Sequence, residues 1–385
     1  MLIIADPAIA EVESAFSALG ELRLLPGRGW TPQSILAAQV LLVRSVTRAD
    51  RGLIEGSRVQ FIGTATSGTD HLDLHYLECH GVQWCAAPGS NARSVAEYVL
   101  SAILSCHSDS DLRDLRVGII GYGHTGRQVA VLLDALGIPW IANDPPLGAA
   151  GGGLALHALD EVLQADIVTL HVPLTHHGPY PTAGLIDAAR LEQMKPAALI
   201  INTARGGVVC EADLKAAILS RGLRAVIDCW EGEPCIDLDL LRISRLGTPH
   251  IAGYSRDGKL KATQALHAAL CRYLGRTPYW QPGGEHTRIC ELALSPHTSD
   301  AEALHRAVRA SYDPHTDDAA LRALLREPGE ERGGQFERLR AHYRLRREFP
   351  STAVSVSGQR PDLTSRLRAL GFEVRVSDRS GTMEP

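Results

Sequence analysis

The stretch that most constrains the fold runs from Val117 to Gly137 and reads VGIIGYGHTGRQVAVLLDALG. It begins with a short apolar run, which is typical of a buried parallel strand. Three glycines follow, and apolar residues at helical spacing then lead to a final glycine that suits a helix C-terminus. The pattern therefore predicts a strand, a glycine turn and a helix.

In this context the glycines form a G-x-G-x-x-G motif that is typical of dinucleotide-binding turns. The first glycine permits a tight turn, the second lets the backbone approach a pyrophosphate, and the third lets the helix pack closely on the strand. The residues between them open the helix, whose free N–H groups and positive dipole end favour phosphate. We therefore predict that the dinucleotide is bound by Gly121, Gly123, His124, Thr125 and Gly126.

The residue expected to select the cofactor is Asp144, about 20 positions further on at the end of the next predicted strand. Its carboxylate can accept hydrogen bonds from both ribose hydroxyls of NAD, and it would repel the 2′-phosphate of NADP. No arginine follows directly, because the next residues are Pro145, Pro146 and Leu147. NAD is therefore the predicted cofactor. The alternative is that Asp144 only caps a turn.

Composition excludes several classes of protein. A chain of 385 residues has room for two or three domains, and 45% hydrophobic residues suffice for their cores. The net charge of −5 is too mild to indicate a nucleic acid or membrane partner. The N-terminus does not resemble a signal peptide, and no apolar run reaches the length of about 18 residues that a membrane helix needs. The eight cysteines are scattered, which favours a reducing cytoplasm over a disulfide framework.

The first part of the chain alternates short strands and helices, which indicates a parallel sheet covered on both faces. Strands predicted at 40–43 and 61–66 deliver Arg44, Ser45 and Thr66 to their carboxyl ends, where such sheets bind ligands. A guanidinium fork, hydroxyl groups and backbone N–H groups together suit an anion. The alternative is ordinary strand-end caps and a surface arginine.

Three residues at later predicted strand ends form a workable hydride-transfer site: Arg205, Glu233 and His250. Oxidation of a secondary alcohol needs a base for the hydroxyl proton, and histidine is suited by its ordinary pKa of about 6.5. A carboxylate bonded to the imidazole would fix its tautomer, provided that the fold brings Glu233 to His250. Arginine could hold a substrate carboxylate in bidentate fashion. Taken singly, each is also an ordinary loop or surface residue.

No metal site is predicted. His171, His176 and His177 cluster near the same sheet edge, but no carboxylate–histidine spacing accompanies them. They are interpreted as loop histidines.

Several motifs around these residues resemble the D-isomer-specific 2-hydroxyacid dehydrogenases. They are GYGHTG (121–126), NTARGGVV (202–209), DCWEGEP (228–234) and GTPHIAGY (247–254). Within that family the chain is most similar to the erythronate-4-phosphate dehydrogenases of the vitamin B6 pathway. The narrower resemblance rests on LLVRSVT (41–47), FIGTATSGTDHLD (61–73), AAPGSNARSVAEYV (86–99) and the C-terminal region, and it covers nearly the whole chain.

The resemblance implies an α/β fold with two Rossmann-like doubly wound parallel-sheet domains and a C-terminal α+β dimerisation domain. The substrate-binding domain would comprise residues 1–96 and 252–280, the NAD-binding domain 97–251 and the dimerisation domain 285–385. The pattern alone predicts for the last region strands at 289–294, 353–356 and 373–376, helices at 301–312, 318–326 and 336–347, and a disordered tail at 378–385.

The resemblance also implies roles for individual residues. Arg205 and Glu233 would be catalytic, and His250 would be the acid/base. Substrate would be touched by Ser45, Thr66 and Tyr254. NAD would be touched by Asp144, Val172, Thr203, Ala204, Asp228 and Gly253, with Val172 acting only through its backbone.

The implied activity is NAD-dependent oxidation of 4-phospho-D-erythronate to 2-oxo-3-hydroxy-4-phosphobutanoate in the cytoplasm, by a homodimer. Two alternatives stay open. One is a dehydrogenase or reductase of another 2-hydroxy acid, such as 3-phosphoglycerate. The other is a non-catalytic protein that senses NAD(H), although the presence of the full catalytic set argues against it.

Overall fold

The computed structural model describes residues 1–107, 112–151, 153, 155–283, 292–295, 297–344 and 346–377. Its described part divides into two compact units. The first comprises Met1–Asn91 and the segment that begins at Ser255, and the second comprises Ala92–Tyr254 and the described residues from 292 onward. Each unit is built on its own parallel sheet.

The strands, in chain order, are β1 (Leu2–Ala5), β2 (Glu21–Leu24), β3 (Val40–Val43), β4 (Phe61–Thr64), β5 (Gln83–Cys85), β6 (Val117–Ile120), β7 (Trp140–Asn143), β8 (Ile167–Leu170), β9 (Leu199–Asn202), β10 (Arg224–Ile227), β11 (Leu246–Gly247), β12 (Leu292–Leu294), β13 (Ala353–Ser357) and β14 (Glu373–Ser377).

The α-helices are α1 (Val12–Phe16), α2 (Pro32–Ile35), α3 (Arg51–Ile54), α4 (Leu74–Cys79), α5 (Ala92–Cys106), α6 (His124–Leu136), α7 (Pro145–Ala149), α8 (Leu159–Leu163), α9 (Ala188–Gln193), α10 (Glu211–Arg221), α11 (Leu238–Ile243), α12 (Arg256–Tyr273), α13 (Asp300–Ser311), α14 (Pro314–Arg322), α15 (Arg332–Ala341) and α16 (Pro361–Ala369).

The sheet of the first unit is parallel throughout, in the order β2-β1-β3-β4-β5. Successive side chains of a strand point to opposite faces of the sheet, so adjacent residues pack into two different cores. Leu42 packs with Leu266 and Leu270 of α12 on one face, whereas Leu41 and Val43 pack into the other. Helix α12 therefore belongs to the core of this unit, and truncating the fully buried Leu266 to alanine would cost about 2–5 kcal/mol.

The larger sheet of the second unit is also parallel, in the order β11-β10-β9-β8-β6-β7. The chain order reverses at β6, since β7 lies on one side of it and β8 on the other. Ligands of such sheets bind beyond the carboxyl ends of the strands at this switch point. The glycine turn after β6 therefore stands at the expected place for a dinucleotide.

The C-terminal part of the second unit has a small parallel sheet, β12-β13-β14, with helices around it. Its apolar residues share one core with α5 and α6, through Val354 and Leu363 among others. The parallel sheets confirm the predicted fold class.

Most predicted elements of this region exist, with three corrections. The helix expected at 318–326 is α14, which begins at Pro314 and ends at Arg322. The helix expected at 336–347 is α15, which begins four residues earlier and ends at Ala341. Helix α16 had no counterpart in the prediction. Part of the first predicted strand and the tail at 378–385 lie outside the described residues.

Candidate active site

The glycine turn joins β6 to α6 through close backbone contacts. Gly121 has a φ of +91°, and a Cβ there would lie 2.8 Å from the carbonyl carbon of His171. A Cβ on Gly126 would lie 2.1 Å from the Gly121 oxygen, so the third glycine lets helix and strand approach. Gly123, the N-cap of α6, has nothing within 4 Å of its Cβ position. The turn thus leaves open space beside the helix N-terminus, which fits a pyrophosphate.

Asp144 follows β7, and its carboxylate is hydrogen-bonded to the glycine turn. Its Oδ2 accepts the Tyr122 N–H at 2.8 Å, and its Oδ1 accepts the Leu147 N–H at 3.0 Å as the N-cap of α7. Asp144 therefore does act as a cap, which was the alternative interpretation of this residue. It does not preclude cofactor binding, because each carboxylate oxygen has a second lone pair for a ribose hydroxyl.

Other predicted cofactor contacts line the same sheet edge. Val172 lies against the glycine turn, since its Cγ1 would be 2.9 Å from a Cβ on Gly121. The Thr203 hydroxyl lies 3.3 Å from Nδ1 of His171, and Thr203 and Ala204 directly follow β9. The residues present therefore fit a dinucleotide that extends from the glycine turn along the ends of β8 and β9.

The fold brings the side chains of His250 and Glu233 into contact. The Nδ1 of His250 lies 2.9 Å from Oε2 and 3.1 Å from Oε1 of Glu233. Oε1 also accepts the Trp230 N–H at 2.8 Å, which fixes the carboxylate. With Nδ1–H donated to Glu233, Nε2 carries the lone pair that a general base needs.

The surroundings of the pair tune both pKa values. Burial alone would lower the pKa of His250, but the contact with the Glu233 carboxylate raises it. Burial likewise opposes ionisation of Glu233, yet His250, the Trp230 N–H and Arg340 hold its pKa below the usual value. Burial raises the pKa of the Cys229 thiol, so Glu233 is the charged partner of His250 at neutral pH.

Asp228 shapes the loop that carries His250. Its carboxylate accepts the Thr248 hydroxyl at 2.7 Å and the N–H groups of Ile251 and Ala252 at 2.7 and 3.0 Å. His250 sits at a φ of +55°, a backbone region that non-glycine residues rarely adopt. The hydrogen bonds of Asp228, which is 1% exposed, hold that turn in place. A contact of Asp228 with NAD stays a prediction.

Arg205 lies in the turn after β9. A Cβ on Gly206 would lie 2.0 Å from the Trp230 oxygen, so this turn packs against the backbone just before Glu233. Asn202 joins the two strand ends, because its Nδ2 donates to the Arg205 oxygen at 3.0 Å and to the Cys229 oxygen at 3.1 Å. Arg205 donates from Nη1 to the Ala204 oxygen at 2.8 Å.

The predicted anion residues lie in the first unit. Arg44 follows β3, and its Nε donates to Oδ2 of the buried Asp6 at 3.0 Å. Thr66 follows the neighbouring strand β4, where its hydroxyl bonds Thr64 and the Gly68 oxygen, both at 2.7 Å. Ser45 follows Arg44 directly. Because β3 and β4 are paired in register, these residues share one end of the sheet.

Three charged residues that interact with the predicted site residues or their neighbours were not identified from the sequence. Lys259, in the first turn of α12, has its pKa lowered to about 8 by burial and by Arg44. Glu211 accepts the Glu231 N–H at 2.7 Å, and burial raises its pKa to about 7. Arg340 lies close to Glu233. No local motif marks any of them, since their neighbours are distant in sequence.

The three histidines do not form a metal site. His171 bonds the Thr169 hydroxyl at 3.0 Å, and burial lowers its pKa to about 3, which keeps it neutral. His176 and His177 are exposed on the following loop. Among the described residues, no group of three histidine, cysteine or acidic side chains could hold a metal ion. Nor is any helix in the described ranges long and apolar enough to cross a membrane.

Comparison with known proteins adds independent information. Residues 102–252 match the model of the "D-isomer specific 2-hydroxyacid dehydrogenase, NAD binding domain", and residues 285–371 match a domain family of unknown function. An erythronate-4-phosphate dehydrogenase of Hahella chejuensis is 42% identical over 97% of this chain and 99% of its own. One of Marinobacter nauticus is 43% identical over 98% of this chain and 100% of its own.

Solved structures show the same fold at lower identity. NAD+-bound 3-phosphoglycerate dehydrogenase of Entamoeba histolytica has a TM-score of 0.63 and 21% identity, covering 74% of this chain and 98% of its own. NAD-dependent formate dehydrogenase of Staphylococcus aureus in complex with NAD has a TM-score of 0.59 and 23% identity, covering 73% of this chain and 97% of its own. About a quarter of this chain lies outside each match.

Proposed function

The chain belongs to the D-isomer-specific 2-hydroxyacid dehydrogenases, among the erythronate-4-phosphate dehydrogenases, and from that premise we propose that it oxidises 4-phospho-D-erythronate. It is an NAD-dependent oxidoreductase that acts on the CH–OH group of a 2-hydroxy acid. The product would be 2-oxo-3-hydroxy-4-phosphobutanoate, an intermediate on the route to pyridoxal 5′-phosphate.

The observation that carries the chemistry is the His250–Glu233 pair, with its 2.9 Å contact. His250 takes the proton of the C2 hydroxyl on Nε2, while Glu233 stabilises the imidazolium that forms. Arg205 binds the substrate carboxylate and polarises the forming carbonyl. NAD, when bound, supplies the hydride acceptor.

The geometry of the sheet edge supports a proposal for the residues that hold NAD. The open face of Gly123 and the first N–H groups of α6, at His124 and Thr125, would take the pyrophosphate. Asp144 would accept the ribose hydroxyls through its remaining lone pairs. The backbone at Val172, Thr203, Ala204 and Gly253 would line the rest, with Asp228 behind it.

Arg44, Ser45 and Thr66 would hold the substrate's anionic end groups, and Tyr254 would also contact substrate. The pairing of β3 and β4 supports this proposal, because it gathers a guanidinium and hydroxyl groups at one sheet end. We also propose the three-part division at residues 1–96 with 252–280, 97–251 and 285–385. In that proposal the last part forms a homodimer in the cytoplasm.

The deciding experiment measures NADH formation with 4-phosphoerythronate and with 3-phosphoglycerate as the matched phosphorylated control. We expect kcat/KM to favour the four-carbon acid by at least ten-fold. Equal or better turnover of 3-phosphoglycerate would contradict the proposed substrate and leave the reaction class standing. Tight NADH binding without turnover of any 2-hydroxy acid would instead indicate a sensing protein.

A further inference from the structure

Helix α15 belongs to the region that matches a family of unknown function, yet it packs against the catalytic turn. Near its start, a Cβ on Gly333 would lie 3.4 Å from Sγ of Cys235 and 3.5 Å from Cγ of Pro234, next to Glu233. Just after its end, the ring of Tyr343 meets the ring of Tyr254 edge-on at 5.8 Å. The helix therefore spans from one side of the catalytic loops to the other.

Arg340 lies in the last turn of α15 and interacts with the loops that carry Glu233 and Tyr254. It interacts electrostatically with Tyr254 and Glu233 and forms a side-chain hydrogen bond with Tyr254. Its Nη1 lies 3.9 Å from Oε1 of Glu337, and its side chain is 17% exposed. Its buried Nε finds no hydrogen-bond partner among the described residues. A buried guanidinium with an unused donor is costly unless its position serves something else.

A second arginine fixes the segment after the helix. Arg346 is buried, and its Nη2 donates to the oxygens of Ser94 and Ala252, both at 2.7 Å. Its guanidinium also lies 4.0 Å from the ring centroid of Tyr312. Because Ala252 follows the His250 turn, Arg346 ties this C-terminal segment to the catalytic loop.

From these contacts we infer that Arg340 is a positioning residue, which holds the Glu233 carboxylate beside His250 and holds Tyr254 in place. The inference rests on the proposed reaction, in which His250 must be neutral to accept a proton. The C-terminal region thus contributes to the chemistry of the catalytic pair.

The electrostatic sign of the effect follows from the groups around the pair. Cys229, Asp228 and Glu233 face His250, whereas Glu211 and Arg340 act on Glu233. Arg340 is the cation in this set, and a nearby cation disfavours the imidazolium. Its removal therefore raises the pKa of His250. Oxidation stops below the pH at which His250 becomes protonated, so that pH moves upward in the variant.

The test compares Arg340→Gln, Arg340→Lys and wild type over the pH profile of kcat/KM for 4-phosphoerythronate oxidation. For Arg340→Gln we expect a fall in kcat of roughly ten-fold. We also expect an acid limb moved up by about half a pH unit. Arg340→Lys keeps the charge and should restore the limb. Arg338→Gln, on the exposed side of the same helix, is the control and should match wild type.

A second measurement needs no substrate, so it separates this inference from the proposed function. NMR of protein with ¹³C-labelled imidazoles, assigned with His250→Ala, reports the titration of His250 directly. An upward shift in Arg340→Gln that Arg340→Lys reverses supports the inference even if 4-phosphoerythronate is not the substrate. An unmoved titration overturns it. A rise in KM with no change in kcat would also overturn it, because Arg340 would then be a substrate contact.

Discussion

The two units of this chain place different chemistry at the carboxyl ends of their parallel strands. In the first unit the ends of β3 and β4 and the start of α12 gather Arg44, Thr66 and Lys259. In the second, the ends of β10 and β11 gather carboxylates around an imidazole, Asp228, Glu233 and His250. One strand-end geometry thus carries the proposed anion-binding set in one unit and the proposed proton-transfer set in the other. The difference arises from the side chains and not from the fold.

The proton-transfer set should fail most completely when its imidazole is removed. His250→Ala is expected to lower kcat by roughly a thousand-fold, because a positioned general acid or base accelerates a reaction about 10²- to 10⁴-fold. The dissociation constant of NADH, measured by fluorescence, should change little. His176→Ala, in an exposed loop of the same unit, is the control. Unchanged turnover in His250→Ala would remove the imidazole from the mechanism.

The carboxylate that holds the His250 turn should have the next largest effect. In Asp228→Asn an amide nitrogen would face N–H donors, so we expect a loss of about 1–3 kcal/mol in the free energy of unfolding. Displacement of His250 should also lower kcat roughly 10- to 100-fold. Denaturant melts and steady-state rates measure the two effects.

Asp213→Asn is the matched control, since the Asp213 carboxylate likewise accepts a backbone N–H, that of Ala188, at 3.0 Å. A variant of Asp228 that keeps its stability and kcat but binds NADH more weakly would instead favour the predicted cofactor contact. That outcome would contradict a mainly structural role.

The same contrast separates what the sequence could predict from what it could not. The glycine turn and the strand ends were predicted correctly, because parallel strands bring their ends to one edge whatever their separation in sequence. The contact of His250 with Glu233 was stated only as a condition, and the structure shows that contact. Lys259 and Arg340 were missed, because they lie on helices that return from distant parts of the chain.

Local patterns failed where capping or tertiary contacts decided the outcome. No helix was predicted directly after Asp144, but α7 begins there because Asp144 caps a helix with proline at its first turn. The predicted helix at 336–347 continued too far, since the chain leaves α15 at Ala341 and buries Arg346 against Ala252. Neither contact is visible in helical periodicity.

In the anion-binding set, the expected effect is on KM. Arg44→Gln should raise KM for the phosphorylated acid by about ten-fold with little change in kcat, since a charge-assisted hydrogen bond is worth about 1.5–3 kcal/mol. The variant also leaves Asp6 without its 3.0 Å ion pair, so a thermal melt must accompany it. Arg48→Gln, whose side chain is 84% exposed, is the control. A fall in kcat with constant KM would contradict a binding role.

The smallest expected effect is a pH dependence of the same set. Burial and Arg44 lower the pKa of Lys259 to about 8, so the ammonium is charged below that pH and neutral above it. The KM for a phosphorylated substrate should therefore rise about three-fold between pH 7 and pH 9. A phosphate monoester has its second pKa near 6, so its own charge is constant in this range.

Lys259→Met should show the high KM at both pH values. Lys261→Met, at an exposed position of the same helix, should keep the wild-type dependence. If KM stays flat in the wild type, Lys259 does not bind the anion, and the set reduces to Arg44 and the hydroxyl groups. If instead kcat carries the whole pH dependence, the titrating group belongs to the second unit, where His250 governs proton transfer.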